Sequence, residues 1–294
     1  MHKGEKIVMK VGYLGPAATF THLAVSSCFQ NGAEHVAYRT IPECIDAAVA
    51  GEVDFAFVPL ENALEGSVNL TIDYLIHEQP LPIVGEMTLP IHQHLLVHPS
   101  RENAWKELDK IYSHSHAIAQ CHKFLHRHFP SVPYEYANST GAAAKFVSDH
   151  PELNIGVIAN DMAASTYELK IVKRDIQDYR DNHTRFVILS PDENISFEVN
   201  SKLSSRPKTT LMVMLPQDDQ SGALHRVLSA FSWRNLNLSK IESRPTKTGL
   251  GHYFFIIDIE KAFDDVLIPG AMQELEALGC KVRLLGAYSL TNYK

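Results

Sequence analysis

At 294 residues the chain is longer than a typical single domain, so we expect two domains, the larger of which has room for two lobes. Its composition, with 45% hydrophobic and 21% charged residues, is that of a globular protein and does not indicate a disordered tail. The net charge of −7 is spread along the chain without a basic cluster, which argues against nucleic acid or anionic lipid and favours a small-molecule partner.

The sequence does not predict export or membrane insertion. Met1 to Lys10 is a short mixed segment without the apolar core of a signal peptide, and about 18 apolar residues never occur in a row. The four cysteines lie far apart and form no CxxC pair, which is typical of reduced, buried thiols in a reducing compartment. We therefore expect a cytoplasmic protein without disulfide bonds.

Strands and helices alternate along the first 190 residues. In the first run the predicted elements are a strand at Lys6–Gly12, a helix after Thr19, a strand at His35–Arg39, a helix capped by Thr40 with Glu43, a strand at Val53–Val58 and a helix near Gly66–Ser67. In the second they are strands at Ile91–His98 and Lys110–Tyr112, a helix at His114–Phe129, a strand at Ser131–Tyr136, a helix at Ser139–Ser148, a strand at Asn154–Ile158 and a helix at Asp161–Tyr167. The two runs predict two lobes built on parallel sheets, with Thr184–Leu189 returning to the first lobe. Because ligands of such sheets bind at the carboxyl ends of the strands, we expect the chemistry in the loops that follow the strands.

From Pro191 to Pro207 the chain is polar and rich in serine, which predicts a linker. Beyond it the order is a strand at Thr209–Leu215, a helix at Ser221–Trp233, strands at Asn237–Arg244 and His252–Ile259, a helix at Asp264–Leu278 and a strand at Lys281–Tyr288. This order predicts a ferredoxin-like βαββαβ domain. The predicted organisation is a domain over residues 1–190, with lobes at about 1–85 plus 175–190 and at about 86–174, a linker over 191–207 and a second domain over 208–294.

Three predicted helix ends carry small or hydroxyl residues suited to holding an anion. They are Gly15 to Thr19, Gly66–Ser67 and Ser139 to Gly141. Free amides and the helix dipole favour carboxylates or phosphates at such ends, although each alone is also explained as an ordinary helix cap.

Nucleotide and metal sites are poorly supported. The chain contains neither GxGxxG nor GxxxxGK[ST] spacing. Histidines occur in spaced groups, namely His92, His94 and His98 on one strand face and His122 with His126 on a helix, but no HExxH motif accompanies them. Among 16 histidines such spacings arise by chance, so we expect no metal.

Four segments together resemble the prephenate dehydratase family. They are GYLGPAATFTHLA (Gly12 to Ala24), VPLENALEGSV (Val58 to Val68), YSHSHAIAQC (Tyr112 to Cys121) and NHTRFVIL (Asn182 to Leu189). The resemblance covers nearly all of residues 7–190. It implies an α/β fold with two lobes like the type II periplasmic binding proteins, an active site in the cleft, and conversion of prephenate to phenylpyruvate with loss of CO2 and water. No cofactor is implied.

The resemblance also implies residue roles. Thr184 is expected to be the hydroxyl near the departing group, as a hydrogen-bond donor or as the general acid. The expected catalytic residues are Thr184, Arg185, Phe186, Asn62, Ser113 and Gln120. The expected substrate-binding residues are Pro16, Ala17, Thr19, Glu61, Gly66, Ser67, Ser139, Thr140 and Asn182. For Arg185 an ion pair that positions the segment stays open beside direct substrate contact.

The chain departs from the family pattern at two positions. Where the family commonly has Glu-Asn-Ser and Ser-His-Pro-Gln, this chain has Ala63 and Ser115 in place of the serine and the proline. The second change predicts a less preorganised loop, and neither removes a group expected to act in catalysis.

The second domain resembles the amino-acid-binding ACT domains through GALHRVLSAF (Gly222 to Phe231), Asn237-Leu238 and IESRP (Ile241 to Pro245). The resemblance implies that L-phenylalanine binds at a subunit interface and regulates the enzyme as a homodimer or homotetramer. The expected effector-binding residues are Gly222, Ala223, Leu224, Asn237, Leu238, Glu242, Ser243, Arg244 and Pro245.

Three alternatives stay open at this point. The substrate could be arogenate, the aminated analogue of prephenate, because no residue decides between the two. A two-lobed protein could also bind a small acid without catalysis, since a fold does not assign a function. The C-terminal domain could serve only in dimerisation, in which case phenylalanine would have no effect.

Overall fold

The structure is a computed structural model, and it describes residues 9–29, 32–195, 197, 204–216, 222–246 and 253–293. The first lobe contains β1 (Lys10–Leu14), α1 (Phe20–Cys28), β2 (Glu34–Tyr38), α2 (Ile41–Val49), β3 (Phe55–Asn62), β4 (Gly66–Ser67), α3 (Asn69–His77) and β5 (Ile83–Pro90). The second lobe contains β6 (His94–Val97), a 3₁₀ helix (Pro99–Glu107), β7 (Lys110–Ser113), α4 (Ser115–Gln120), α5 (His122–His128), β8 (Tyr134–Tyr136), α6 (Thr140–Asp149), β9 (Ile155–Ala159), α7 (Asp161–Thr166) and β10 (Lys170–Lys173). The chain then returns to the first lobe as β11 (His183–Leu189).

Both lobes are built on mixed sheets rather than the parallel sheets predicted. In the first lobe β1 pairs in parallel with β2 and β3, but β11 lies antiparallel between β3 and β5. The second sheet has the order β10-β6-β9-β7-β8, with only β7, β8 and β9 parallel to one another. Two segments connect the lobes, and they are hydrogen-bonded together by Ile91 N to Asn182 O at 2.9 Å and Ile176 N to Gln93 O at 2.8 Å.

The C-terminal domain has the predicted βαββαβ order. It consists of β12 (Ser204–Met214), α8 (Ala223–Ser232), β13 (Leu238–Pro245), β14 (Tyr253–Ile259), α9 (Leu267–Ala277) and β15 (Lys281–Asn292). Its strands lie in the order β13-β14-β12-β15, which is the ferredoxin-like arrangement.

The C-terminal domain continues the sheet of the first lobe. Strand β15 pairs in parallel with β5, from Ser289 opposite Gly85 to Asn292 opposite Thr88, and this pairing joins ten strands into one sheet. A shared apolar core lies on one face of the joined sheet, where Met212, Phe254, Ile256 and Leu285 pack with first-lobe residues of α2 and α3. The two domains are therefore packed as one unit along this seam.

Helix starts follow the capping residues predicted from the sequence. The side chains of Thr19, Thr40 and Ser139 accept hydrogen bonds from the backbone N–H three residues on, at 3.3, 3.2 and 3.0 Å. Glu43 accepts in turn from Arg39 N at 3.1 Å, close to the geometry of a capping box. Each cap satisfies an amide that the first turn of a helix leaves free.

Three predicted elements differ because of contacts from distant parts of the chain. The helix predicted over His114–Phe129 is broken at Cys121, because Asp178 uses its backbone N–H to bind Gln120 O at 2.7 Å and its carboxylate to accept from Lys123 N. The strand predicted over Ile91–His98 covers only His94–Val97, since residues 91–93 connect the lobes. The last strand runs to Asn292 rather than Tyr288 because it pairs with β5.

Other differences concern turns and strand ends. The helix predicted near Gly66–Ser67 begins later, as α3 at Asn69, because Gly66 has a φ of +82° and turns the chain into β4, which pairs with the end of β3. Strands β5 and β10 were not predicted. Strand β12 begins at Ser204 rather than Thr209, and of the strand predicted at Lys6–Gly12, residues 6–8 lie outside the described residues.

Candidate active site

A cavity of about 520 Å³ lies in the cleft between the two lobes. Strand ends and helix starts of both lobes line it, as expected for sheets of this type. The predicted site residues that line it are Thr19, Asn62, Gly66, Ser67, Gln120, Ser139, Thr140, Thr184 and Phe186.

Two lining residues of the cavity, Asn62 and Thr184, form a hydrogen-bonded pair. These residues lie opposite each other on β3 and β11, and Asn62 Nδ2 donates to Thr184 Oγ1 at 2.9 Å. The amide is held in this orientation because its oxygen accepts from the backbone N–H of Leu64 at 2.9 Å and of Glu65 at 3.1 Å. Since the Thr184 oxygen accepts from Asn62, its own proton is available for a group in the cavity.

Alternation along β11 separates the three residues of the Thr-Arg-Phe motif. Thr184 and Phe186 face the cavity, where Phe186 stacks on Phe57 with ring centroids 5.3 Å apart. Arg185 faces the opposite side of the sheet, because successive residues of a strand point to opposite faces. The structure therefore does not bring Arg185 into the cleft.

Arg185 instead joins a buried group of charges between the first lobe and the C-terminal domain, which we call the interdomain ion cluster. Its members are Glu61, Glu86, Arg185, Lys208, Lys240 and Asp258. Arg185 donates to both oxygens of Glu86 at 2.9 Å, to Asp258 at 2.7 Å and to Glu61 at 2.6 Å. Burial alone would lower the pKa of the Arg185 guanidinium, but Glu86 and Asp258 outweigh it and raise that pKa. Of the two roles that the sequence left open, the contacts favour the ion pair.

Helix N-termini supply the groups that could hold an anion. The starts of α1 at Thr19, of α6 at Ser139–Thr140 and of α4 at His114 all line the cavity. The hydroxyls of Thr19 and Ser139 serve as caps, which leaves other first-turn amides free. Two of the three predicted helix ends, those at Thr19 and Ser139, are thus confirmed as helix starts, whereas the helix predicted near Gly66–Ser67 begins later, at Asn69. The start of α4 was predicted as a helix start but not as an anion-binding end.

Pro16 and Ala17 do not line the cavity and instead join the lobes. A Cβ placed on Gly141, at the start of α6, would lie 2.4 Å from Ala17 O, so the loop after β1 sits directly against α6. The neighbouring Ala18 is fully buried in the core of the second lobe. This loop therefore contributes to the contact between the lobes, and the substrate contact expected of Pro16 and Ala17 stays a prediction.

Three further expected residues do not line the cavity. Ser113 is fully buried and its hydroxyl donates to Ile158 O at 2.6 Å, so the adjacent His114 lines the cavity in its place. Asn182 is buried in a segment that connects the lobes, and its side chain does not line the cavity. Glu61 binds Arg185 at 2.6 Å and Lys240 at 2.9 Å on the opposite face of the sheet.

Several cavity residues escaped the sequence analysis. Gln93, which lies between the lobes, donates to Gln120 Oε1 at 3.3 Å, and Gln120 donates to Glu65 Oε1 at 3.5 Å. This chain of side chains crosses from the second lobe to the first at the edge of the cavity. Burial, and then the neighbouring His116, lower the pKa of His114 against the opposing effect of Glu65. No sequence signal marked Gln93, whereas His114 and His116 lie within the segment from Tyr112 to Cys121 that resembles the family.

The two faces of β13 divide the expected effector segment. Ile241, Ser243 and Pro245 are exposed. Glu242 and Arg244 point to the first lobe, where Glu242 accepts from Ser67 Oγ at 2.6 Å and Arg244 binds α3, with Arg244 Nη2 2.8 Å from an Asp73 oxygen. The expected effector role of Glu242 and Arg244 is therefore not supported by their contacts in this structure.

At the start of α8, Gly222 adopts a φ of +88° and caps the helix that begins with buried Ala223 and exposed Leu224. Asn237 binds Glu260, and Leu238 packs against the domain core. Within the described residues no group of three His, Cys, Asp or Glu side chains could hold a metal ion. In the same part of the chain, no helix is long and apolar enough to cross a membrane.

Comparison with known proteins gives matches over both domains. The family model described as prephenate dehydratase matches residues 11–194, and the model described as ACT domain matches residues 212–279. A prephenate dehydratase of Lactococcus lactis subsp. cremoris is 43% identical over 283 residues, which are 96% of this chain and 98% of that relative.

Solved structures are similar over the same length. A prephenate dehydratase from Arthrobacter aurescens in complex with L-Phe is 33% identical, with a TM-score of 0.82 over 95% of this chain and 89% of that one. A quorum quenching acylase is 24% identical, with a TM-score of 0.80 over 95% of this chain and 97% of that one. At this identity the likeness to the acylase concerns the fold alone.

Proposed function

The chain belongs to the prephenate dehydratase family, and we propose that it converts prephenate to phenylpyruvate with release of CO2 and water in the cleft between its lobes. The observation that carries the proposal is the Asn62–Thr184 pair, which directs a hydroxyl proton into a cavity bordered by three helix N-termini.

The reaction requires a proton donor and anion binding, and no redox change. The bond from the ring to its carboxylate breaks, the electron pair enters the ring, and the ring hydroxyl leaves. Thr184 donates a hydrogen bond to the departing oxygen, and this bond strengthens as negative charge develops there. The Thr184 proton passes along this hydrogen bond to the oxygen, which leaves as water, the carboxylate leaves as CO2, and Thr184 regains a proton from solvent.

The protein contributes position and electrostatics. Helix amides of α1, α4 and α6 hold the two carboxylates of the dianion, and their dipoles favour negative charge. Asn62 fixes the direction of the Thr184 hydroxyl, and Phe186 with Phe57 supplies an apolar wall beside it. A donor that is already oriented needs little reorganisation during the reaction, which is the main source of such stabilisation.

L-Phenylalanine regulates the enzyme through the C-terminal ACT domain in our proposal. The support is the ACT match and the similarity to a prephenate dehydratase structure that contains L-Phe. The exposed face of β13, with Ile241 and Ser243, is the accessible part of the expected effector segment. Because phenylpyruvate is one amination from phenylalanine, inhibition by the amino acid is the expected sign.

We also propose a homodimer or homotetramer located in the cytoplasm. Strand β13 is an edge strand of the joined sheet in the described residues, and Ile241 of β13 and Tyr253 of the adjacent β14 are 44% and 48% exposed, which suits pairing with a second copy. Four free, buried cysteines suit a reducing compartment.

The test is to incubate the purified protein with prephenate and to follow phenylpyruvate, with and without L-phenylalanine and with arogenate as a parallel substrate. The proposal predicts turnover of prephenate that L-phenylalanine suppresses. A folded protein that binds prephenate without forming phenylpyruvate would instead be a binding protein. Turnover that L-phenylalanine does not change would support the proposed catalytic activity and contradict the proposed regulation.

A further inference from the structure

The loop that carries Asn62 is a hairpin whose base lies against the C-terminal domain. Strands β3 and β4 pair Glu61 with Ser67 and Asn62 with Gly66. Asn62 and Glu65 line the cavity from this hairpin, whereas the side chains of Glu61 and Ser67 contact the C-terminal domain. The hairpin thus connects the reacting region to the ACT domain.

Lys240 of β13 holds both strands of this hairpin at its base. Its Nζ lies 2.9 Å from Glu61 Oε2 and 3.2 Å from Ser67 Oγ. It also lies 2.9 Å from Glu242 Oε2, the same oxygen that accepts from Ser67 at 2.6 Å. With a side chain only 12% exposed, Lys240 makes these contacts largely shielded from water, where charge-assisted hydrogen bonds are strong.

Removal of the ammonium would disturb the hairpin rather than leave it in place. Glu61 and Glu242 both contact the same Lys240 nitrogen, so without it two carboxylates would face each other across the domain boundary. Arg185 would still bind Glu61, but from β11, and therefore could not hold Ser67 or β4. The repulsion would act at the residue directly before Asn62.

A small displacement at this base has a direct route to the reaction. Asn62 follows Glu61 and sets the direction of the Thr184 hydroxyl through the 2.9 Å hydrogen bond. A misplacement of about 1 Å at a catalytic group can lower a rate by up to about 10²-fold. The lysine itself does not line the cavity.

We propose that Lys240, a residue of the ACT domain, is a positioning residue for prephenate dehydration, acting through the Glu61–Ser67 hairpin on Asn62. The inference rests on the proposed function. It makes the C-terminal domain part of the catalytic arrangement, with Lys240 as a link between the effector domain and the Asn62–Thr184 pair.

The experiment compares Lys240→Met with Lys281→Met, a matched change at an exposed lysine in the same domain, each in the wild-type and in the Asn62→Ala background. In the wild-type background we expect Lys240→Met to lower kcat about tenfold with little change in KM for prephenate. In the Asn62→Ala background the same change should lower kcat by less than about twofold, because effects that act through one group are not additive. Lys240→Arg should retain most of the wild-type kcat, and Lys281→Met should have no effect.

Two results would overturn the inference. One is an unchanged kcat in Lys240→Met. The other is an equal loss in both backgrounds, which would indicate a general loss of folded protein, and thermal unfolding of each variant would identify it. Failure of the proposed function itself is recognised separately, since the wild type would then form no phenylpyruvate.

Discussion

Replacement of Arg185 by methionine tests whether this arginine belongs to the interdomain ion cluster or to the substrate site. The change removes a guanidinium that binds Glu86, Asp258 and Glu61 and keeps an unbranched apolar side chain in place of its aliphatic part. Removal of one partner from a buried ion pair costs about 3–5 kcal/mol. Each carboxylate keeps a second cation, since Lys208 is 2.9 Å from Glu86 and 3.6 Å from Asp258, and Lys240 is 2.9 Å from Glu61. We therefore expect the lower end, about 3 kcal/mol.

A loss of about 3 kcal/mol should lower the melting temperature by about 6 °C in a chain of this size, at about 2 °C per kcal/mol. Thermal and urea unfolding measure it, with Arg206→Met at an exposed arginine of β12 as the control. The turnover number should also fall, because Glu61 precedes Asn62, but KM for prephenate should stay within about twofold, since no substrate contact is lost. A variant with wild-type unfolding and a greatly raised KM would refute the reasoning and return Arg185 to the substrate site.

Three further changes probe the lobe contact, the ACT helix start and the charge cluster. Gly141→Ala places a Cβ 2.4 Å from Ala17 O, so we expect weaker prephenate binding and a lower unfolding midpoint, and unchanged KM and midpoint would contradict the lobe contact. Gly222→Ala meets no atom within 4 Å but forces a φ of +88°, so urea unfolding should report a loss of about 1–2 kcal/mol with kcat unchanged. Burial would raise the pKa values of Glu61 and Asp258. At Glu61 the cations Lys240 and Arg185 outweigh burial and lower the pKa. At Asp258 the cations Arg185 and Lys208 do the same. These carboxylates therefore stabilise the fold fully above about pH 5, and that contribution should be lost as pH falls through their lowered pKa values, whereas urea midpoints that do not fall in acid would contradict the cluster.

The features that local chemistry controls could be predicted from the sequence. Thr19, Thr40 and Ser139 begin helices because a hydroxyl that accepts from the third following amide is a local interaction. The βαββαβ order of the second domain follows from apolar periodicity alone.

Features that depend on distant partners could not be predicted. Strand β5 contains Gly85 and the buried Glu86, which disfavour a strand locally, and distant partners, the cations Arg185 and Lys208 and the Tyr288 hydroxyl, explain a carboxylate at that position. Which of the two faces of the sheet a given residue points to also depends on the elements that pack against the sheet. Period-two alternation does predict that Thr184 and Arg185 face opposite sides of the sheet, because they are neighbours on one strand.

The turnover number of Thr184→Val beside that of Thr184→Ser tests the central claim most directly. Valine keeps the shape of threonine and removes the hydroxyl, whereas serine keeps the hydroxyl that Asn62 orients at 2.9 Å. Loss of one oriented donor to a developing oxyanion lowers kcat by about 10²–10³-fold, so we predict that loss for valine and a kcat near that of the wild type for serine. A valine variant that forms phenylpyruvate from prephenate at the wild-type rate would contradict the assignment of the proton donor to Thr184.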